Sequence, residues 1–496
     1  MGLAINRDTF SDQEYQEFAR RIRRDLAVLE SMLATRGFGC GSSSFGAELE
    51  VYLVDRQGHT AWVAEPVLAD SREDARLTHE LNRYNLEYNL SPVEARGRPF
   101  SILGEEMMGA LATLTQTAAV YDAEPVPIGI LPTLAERDFE SGAITDQPRY
   151  HALSKGLLRL RGEPFAIDID GPEPLAFSCS DVAVEGANTS FQIHWRVNPE
   201  QFVSAFNAVQ LVTPLLLSVA CNSPSLLGHL LWHETRVAVF KQSIDYRHEE
   251  EKWRVPTRVP FGFGWLATSP MELFRQSVAL YPPLLPVLGE EDSAAVWRDG
   301  GIPRLDELRL HQGAIWPWNR GIYDSADGGH LRIEMRALPA GPTVVDMMAN
   351  MALFIGLAND LRGSLDELLA ALPFQYVERN FYRAARHGLA ATLLWPGDDY
   401  SGPRERSAGE IIRELLPRAE AGLAALGVTD CEITRQLSVI DERLRSRQTG
   451  SSWQLAMVEG YEKQGLSRSE ALSAMFDAYR KASRSGQAVS HWSTSL

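Results

Sequence analysis

An α+β fold built on a mainly antiparallel sheet is predicted by three patterns in the sequence. Four separate stretches alternate apolar and polar residues with a period of two, the spacing of half-buried strands. Helices and long loops separate these stretches, which favours an antiparallel sheet flanked by helices. After about Gly363 the spacing becomes helical and stays so to Lys481. The chain is therefore read as two parts: residues 1–362, which carry the sheet, and residues 363–496, a mostly helical region packed on it.

Ser11 and Glu14 form a capping box ahead of Phe18, Ile22, Leu26, Leu29 and Leu33, a helical stripe that Gly37 ends. The first strand is Phe45 to Val54, with Gly46, Glu48, Glu50 and Tyr52 on its open face. His59 to Asp70 reads as a turn and irregular return. Asn82 to Ser91 alternates again, with Asn85, Glu87 and Asn89 on one face, and Glu80 and Glu94 flank it. A helix over Phe100–Tyr121, a short strand over Val126–Ile130 and a helix over Arg149–Leu160 follow. Phe165–Asp170 and Leu175–Cys179 form a hairpin around Gly171-Pro172. Ser190 to Val197 places Ser190, Gln192, His194 and Arg196 on one face. A long helix, Pro199 to Ala220, enters Asn222-Ser223-Pro224. Thr235 to Arg247 reads as a polar connector and Trp253 to Trp265 as a loop. Leu331 to Ala337 is the fourth alternating strand, with His330, Arg332, Glu334 and Arg336 together, and a helix starts at Thr343. The polar C-terminal tail is expected to fray.

Composition narrows the function. A chain of 496 residues with 45% hydrophobic and 23% charged residues can bury a large core. Its net charge of −17 argues against nucleic-acid binding, which needs a basic face. Cys40, Cys179, Cys221 and Cys431 lie far apart with no CxxC pair, so neither a structural zinc site nor a disulfide framework is expected, and a reducing cytoplasm is the default compartment. No basic N-terminal region precedes an apolar run, and the most apolar segment, Leu211 to Trp232, is broken by Pro214, Asn222, Ser223 and Pro224. Neither a signal peptide nor a membrane span is expected.

If the four strands share a sheet, its polar face collects Glu48, Glu50, Glu87, His194, Glu334 and Arg336. Four carboxylates on one half-buried face cannot all stay ionised without cations. Mg²⁺ or Mn²⁺ takes oxygen ligands and keeps places for phosphate oxygens, so the face suits phosphoryl transfer from ATP. A guanidinium there, as on Arg336, suits charge that develops on the transferred group.

Taken together, Gly46-Ala47-Glu48-Leu49-Glu50, Glu80 with Glu87 seven residues on, Ile193-His194 and Ile333-Glu334-Met335-Arg336 resemble the glutamate–cysteine ligase family. Asn222-Ser223-Pro224 and Arg236 fit the same pattern, and the resemblance runs from about Phe45 to Asn350. It implies a glutamine-synthetase-like catalytic domain over residues 1–362. It also implies that Glu50, Glu87 and Glu334 hold one Mg²⁺, that Glu48, Glu80 and His194 hold a second, and that Arg336 contacts the γ-phosphate. Arg236 would take the glutamate carboxylate, for which a bidentate guanidinium is suited. Arg149 and Tyr150 open a helix near the substrates, and Arg320, after Trp316-Pro317-Trp318-Asn319, is a candidate nucleotide contact. In the family a small residue is expected two before His194; Gln192 stands there. The implied reaction is ATP-dependent amide formation between glutamate and cysteine, in a cytoplasmic enzyme of glutathione biosynthesis that takes small molecules and forms a homo-oligomer at most. A ligase for another amine or acid, and a nucleotide- or metal-binding relative without turnover, remain open beside it.

Overall fold

The computed structural model describes residues 5–397 and 402–496. In chain order the strands are β1 (Ser44–Asp55), β2 (Leu77–His79), β3 (Asn85–Asn89), β4 (Val93–Glu94), β5 (Ala123–Val126), β6 (Phe165–Ile169), β7 (Leu175–Cys179), β8 (Phe191–Arg196), β9 (Ser225–Leu226), β10 (His229–Leu230), β11 (Asn319–Asp324), β12 (His330–Met335), β13 (Thr392–Pro396) and β14 (Pro403–Ser407). Eight of them make one antiparallel sheet in the order β11-β12-β8-β1-β3-β2, with β4 and β5 also paired to β1. The other six form three hairpins. All four strands expected from alternation therefore lie in a single sheet, in which β1, twelve residues long with an apolar face from Phe45 to Leu53, pairs with β3, β4, β5 and β8.

The helices are α1 (Asp12–Leu33), α2 (Ala64–Asp70), α3 (Pro99–Ala119), α4 (Pro148–Arg161), α5 (Pro199–Ala220), α6 (Arg236–Ser243), α7 (Met271–Leu280), α8 (Ser293–Arg298), α9 (Asp306–Gln312), α10 (Val344–Leu361), α11 (Leu365–Ala371), α12 (Phe374–His387), α13 (Ala408–Ala425), α14 (Asp430–Ser446), α15 (Gly450–Lys463) and α16 (Arg468–Arg484). The Ser11 capping box forms, with Glu14 accepting from the Ser11 N–H at 2.8 Å. α3 packs on β1 and β5, α5 packs on β11 and β12, and α10 packs on both helices. Together they cover the apolar face of the sheet and leave the other face polar. Among the described residues, α5 and the helical run Val344–Ala371, which joins α10 to α11, are long and apolar enough to cross a membrane, but each is mostly buried inside the protein.

The structure departs from the sequence reading in four places. The return after His59 contains α2, a short helix with only Ala64 and Val67 buried, too few positions to set a period. The expected strand at Val126–Ile130 lies earlier, at β5, where it pairs with the far end of β1. The connector Thr235–Arg247 contains α6, whose Val237, Ala238, Val239 and Phe240 are all buried. Apolar residues on every side give a helix no amphipathic signal. The helical C-terminal region also includes the β13–β14 hairpin.

That region is tied to the Asn222-Ser223-Pro224 corner at the end of α5. Asn222 donates to the Tyr479 hydroxyl at 2.8 Å and accepts from Gln454 at 2.8 Å, while Ser451 N–H donates to the Cys221 carbonyl at 2.9 Å. The tail past α16 ends in a short turn at Val489–His491, with Val489 and Trp492 buried.

Candidate active site

Register decides which side chains of the polar face meet. Arg320 pairs with Glu334, Glu334 with His194, and His194 with Gly46, so these four positions form one row across β11, β12, β8 and β1. One pleat along, Gln192 pairs with Glu48 and Glu48 with Asn89. One further pleat along, Glu50 pairs with Glu87 and Glu87 with Thr78. Gly46 contributes no side chain to the first row, and His194 leans across to Glu48.

Two groups of possible ligands result. Glu48, His194 and Glu334 each offer an atom within 4.8 Å of the others, and so do Glu50, Glu80 and Glu87. All six residues expected to hold metal are thus brought together, but the grouping differs from the implied one. Glu334 joins Glu48 and His194, and Glu80 joins Glu50 and Glu87. The reason is the strand order: β12 lies beside β8, whereas Glu80 precedes β3 on the far side of β1. The first group mixes an imidazole with carboxylates, which suits Mn²⁺ as well as Mg²⁺, and the all-oxygen second group suits either ion.

The two groups differ in charge balance. In the first, His194 Nε2 lies 2.9 Å from Glu48 Oε1 and 4.0 Å from Glu334 Oε1. Arg320 grips Glu334 through Nε at 2.7 Å and Nη2 at 2.9 Å, and Arg336 Nη1 adds a contact at 3.3 Å. Burial pushes the Glu334 carboxyl up, but Arg320, Arg336 and His194 more than offset it and hold it well below the usual range. Burial likewise opposes ionisation of Glu48, and His194 reverses the balance. Arg332 Nε lies 3.1 Å from His194 Nδ1, so the ring is held between Arg332 and Glu48.

In the second group Arg336 and Arg236 act on Glu50 but do not outweigh burial. Glu50 accepts from Ser190 N–H at 2.6 Å and from Gln192 Nε2 at 2.8 Å, yet burial still raises its carboxyl. Glu87 accepts from Asn89 at 2.8 Å and is pushed up to about 8 by burial and by the charges of Glu48 and Glu50. Glu80 is raised well above the usual range by burial and then by Glu50, Glu87 and Glu185. Burial and mutual repulsion thus disfavour ionisation of these carboxyls, and a cation joining them would offset that; a divalent ion is the simplest to do so.

Gln192 links the groups. Its Nε2 donates to Glu50 while its Oε1 accepts from Arg336. The unexpected Gln two before His194 therefore couples Arg336 to the second group.

The remaining expected residues surround this centre. Arg236, the first residue of α6, is buried. It donates from Nη1 to Glu234 Oε1 at 3.1 Å and to the Ala337 carbonyl at 3.3 Å, and its charge reaches Glu50. Glu234 is held in turn by Ser223 Oγ at 2.7 Å and Asn222 N–H at 2.9 Å, which explains the Asn222-Ser223 pair. Tyr150 is half-buried, donates to the His79 carbonyl at 3.0 Å, and feels the charge of Glu80 after the larger effect of burial. Arg149 is exposed in the first turn of α4 beside it. Sequence reasoning missed Glu185, Asn85 and Arg332 as site residues. Asn85 and Arg332 had been placed on the polar face by alternation; Glu185 sits in a three-residue turn with no periodic signal.

Residues 44–264 match Glutamate-cysteine ligase family 2 (GCS2), a little under half of the chain, so the motif resemblance holds over that span. Glu334, Arg336 and Arg320 lie beyond it. No curated protein sequence matches the chain. The fold is similar to that of glutamate–cysteine ligase from Francisella tularensis, solved in complex with AMP, at 11% identity and a TM-score of 0.56 over 90% of this chain and 89% of that one. A bifunctional glutathione synthetase from Pasteurella multocida is matched at 10% identity and a TM-score of 0.44, over 93% of this chain and 55% of that one. At such identities the likeness is one of fold. The chain is thus similar to that ligase family over residues 44–264 and to the fold of one solved glutamate–cysteine ligase over most of its length.

Proposed function

We propose that the protein is an ATP- and Mg²⁺-dependent ligase that joins the γ-carboxylate of glutamate to the amine of cysteine. The observation that carries this reading is the pair of three-residue ligand groups on one sheet face, linked through Gln192 and Arg336. Glu48, His194 and Glu334 would hold one divalent ion, and Glu50, Glu80 and Glu87 the other. Mg²⁺ or Mn²⁺, when bound, supplies charge neutralisation of the nucleotide's phosphates. A carboxylate oxygen of glutamate attacks the γ-phosphorus, the bond to the bridging oxygen breaks, and ADP leaves with that electron pair. The amine nitrogen then attacks the acyl carbon, the carbon–oxygen bond to phosphate breaks, and the amine surrenders a proton as phosphate departs.

The protein's part is placement and charge. Arg336 would stabilise charge on the transferred phosphoryl group, and Arg320 would contact a phosphate of the nucleotide. Arg236 receives the acid substrate's carboxylate, with Arg149 and Tyr150 at the rim. Residues 1–362 act as the catalytic unit and 363–496 as its packed helical support. Four unpaired cysteines fit a reducing cytoplasm.

The test is ADP release with glutamate and a panel of amines. Release with cysteine supports the reading, release with another amine redirects it to a related ligase, and silence with every amine despite nucleotide binding favours a relative without turnover. Glu334→Gln is expected to lower ADP release by at least about a thousand-fold in a folded protein.

A further inference from the structure

Glu185 opens the short turn Glu185–Ala187 in the loop that leads into β8. Among the described residues its carboxylate has no hydrogen-bond or ion-pair partner; of charged groups, Glu50 and Arg336 act on it at a distance. The turn is held in place. Tyr52, on the polar face of β1, donates to the Ala187 carbonyl at 2.6 Å, and Asn82 donates to the Ala183 carbonyl at 2.8 Å. A Cβ on Gly186 would lie 2.3 Å from the Asn82 amide, so the backbone is pressed against that side chain.

Directly opposite Tyr52 in register stands Asn85 of β3. Two residues before Glu87, it shares the polar face of β3 with that carboxylate. Asn85 is 2% exposed, yet neither its amide oxygen nor its amide nitrogen has a partner. A buried amide without hydrogen bonds costs on the order of 1–3 kcal/mol, and such groups are rare without a ligand or an ordered water. The turn that carries Glu185 and the strand that carries Asn85 are thus joined through Tyr52 at the end of the face where Glu50, Glu80 and Glu87 cluster. Glu185 bears on the charge of Glu80 and Tyr150 as well.

Glu185 lies outside both three-residue ligand groups. A carboxylate without a partner on a pinned turn and, on the strand that the turn reaches through Tyr52, a buried amide without one describe a socket for a cation that carries its own N–H donors. A primary ammonium is such a cation, and a hydrogen bond to a charged group is stronger than a neutral one. We propose that Glu185 and Asn85 form the docking socket for the ammonium group of the amine substrate. The proposal rests on the ligase reading only for the identity of the cation as a substrate.

Direct binding tests it without turnover. L-Cysteine, glycine, ethanolamine and putrescine are titrated calorimetrically into the full-length protein and into Glu185→Gln, each loaded with Mg²⁺ and a non-hydrolysable ATP analogue. The expected result is that at least one amine binds, that Glu185→Gln weakens it by about ten-fold or more, and that Glu185→Asp restores part of the loss. In steady state the amine KM should rise by more than kcat falls. Equal affinity for both proteins, or no binding of any amine, overturns the socket. If the binding difference holds while ADP release stays silent, the socket stands and the ligase reading falls.

Discussion

Arg320 and Glu334 face each other at paired positions of β11 and β12, and one guanidinium grips both carboxylate oxygens, at 2.7 and 2.9 Å. This fork balances the buried charge of Glu334, and an ion joining Glu48, His194 and Glu334 must compete for the same oxygens. Arg320→Gln removes a like charge a few ångströms from the ion's place. It is expected to tighten Mn²⁺ binding by about five-fold or more in nucleotide-free protein, read by paramagnetic resonance of free Mn²⁺. Weaker binding in the variant would mean that the fork positions Glu334 for the ion and does not compete with it.

Arg236 and Glu234 are 3% and 0% exposed, and their contact is 3.1 Å. Removing the cation alone leaves a carboxylate buried with only neutral donors, Ser223 and Asn222. Arg236→Ala should therefore cost about 3–5 kcal/mol in urea unfolding. Adding Glu234→Gln should recover part of that loss, because the stranded charge is then gone. If the double variant is no better than the single one, packing of α6 and not charge sets the cost.

The polar face was legible because β1, β3 and β12 carry Glu, and β8 carries Gln192 and His194, at strand spacing opposite their apolar residues, a signal that the four strands carry jointly. Which glutamates meet was not legible, since Glu334 and Glu80 are assigned to their groups by strand order, a property of long-range pairing. β11 escaped because Asn319, Arg320, Gly321 and Asp324 weaken its alternation, although it brings Arg320 to Glu334. Gln192 looked out of place in the sequence and is explained by two simultaneous contacts, one to each half of the site. Glu185 had no pattern to betray it, as a three-residue turn has no period.

Close packing of α10 on α13 depends on two glycines. A Cβ on Gly422 would lie 1.9 Å from the Gly356 carbonyl oxygen, and one on Gly356 would lie 2.5 Å from the Ala419 carbonyl oxygen. Backbone atoms cannot step aside as a side-chain end does, so the helices would have to separate. Gly422→Ala is expected to destabilise by at least the 1–3 kcal/mol usual for overpacking, despite the better helix propensity of Ala. Thermal unfolding measures it. A variant as stable as the parent would show that α13 can shift without loss, and that the C-terminal helices are less firmly seated on α10 than their contact distance indicates.

Glu87 links stability to pH. Burial first, then Glu48 and Glu50, push its carboxyl from an ordinary 4.5 up to about 8. The folded protein then binds this proton more tightly than the unfolded chain does. The metal-free protein carries the full cost of the ionised carboxylate above about pH 8. It recovers that cost as pH falls through the folded value towards the unfolded one. Glu87→Gln cannot ionise. It should unfold at a higher temperature than the parent at about pH 9, with the gap closing by about pH 5. Mg²⁺ or Mn²⁺ should reverse the order at the alkaline end, because only the parent gains a ligand there, and metal uptake by the parent should release protons. A gap that stays constant across this range would mean that Glu87 does not titrate within it, and the second group would then lack the unbalanced charge that draws in a cation.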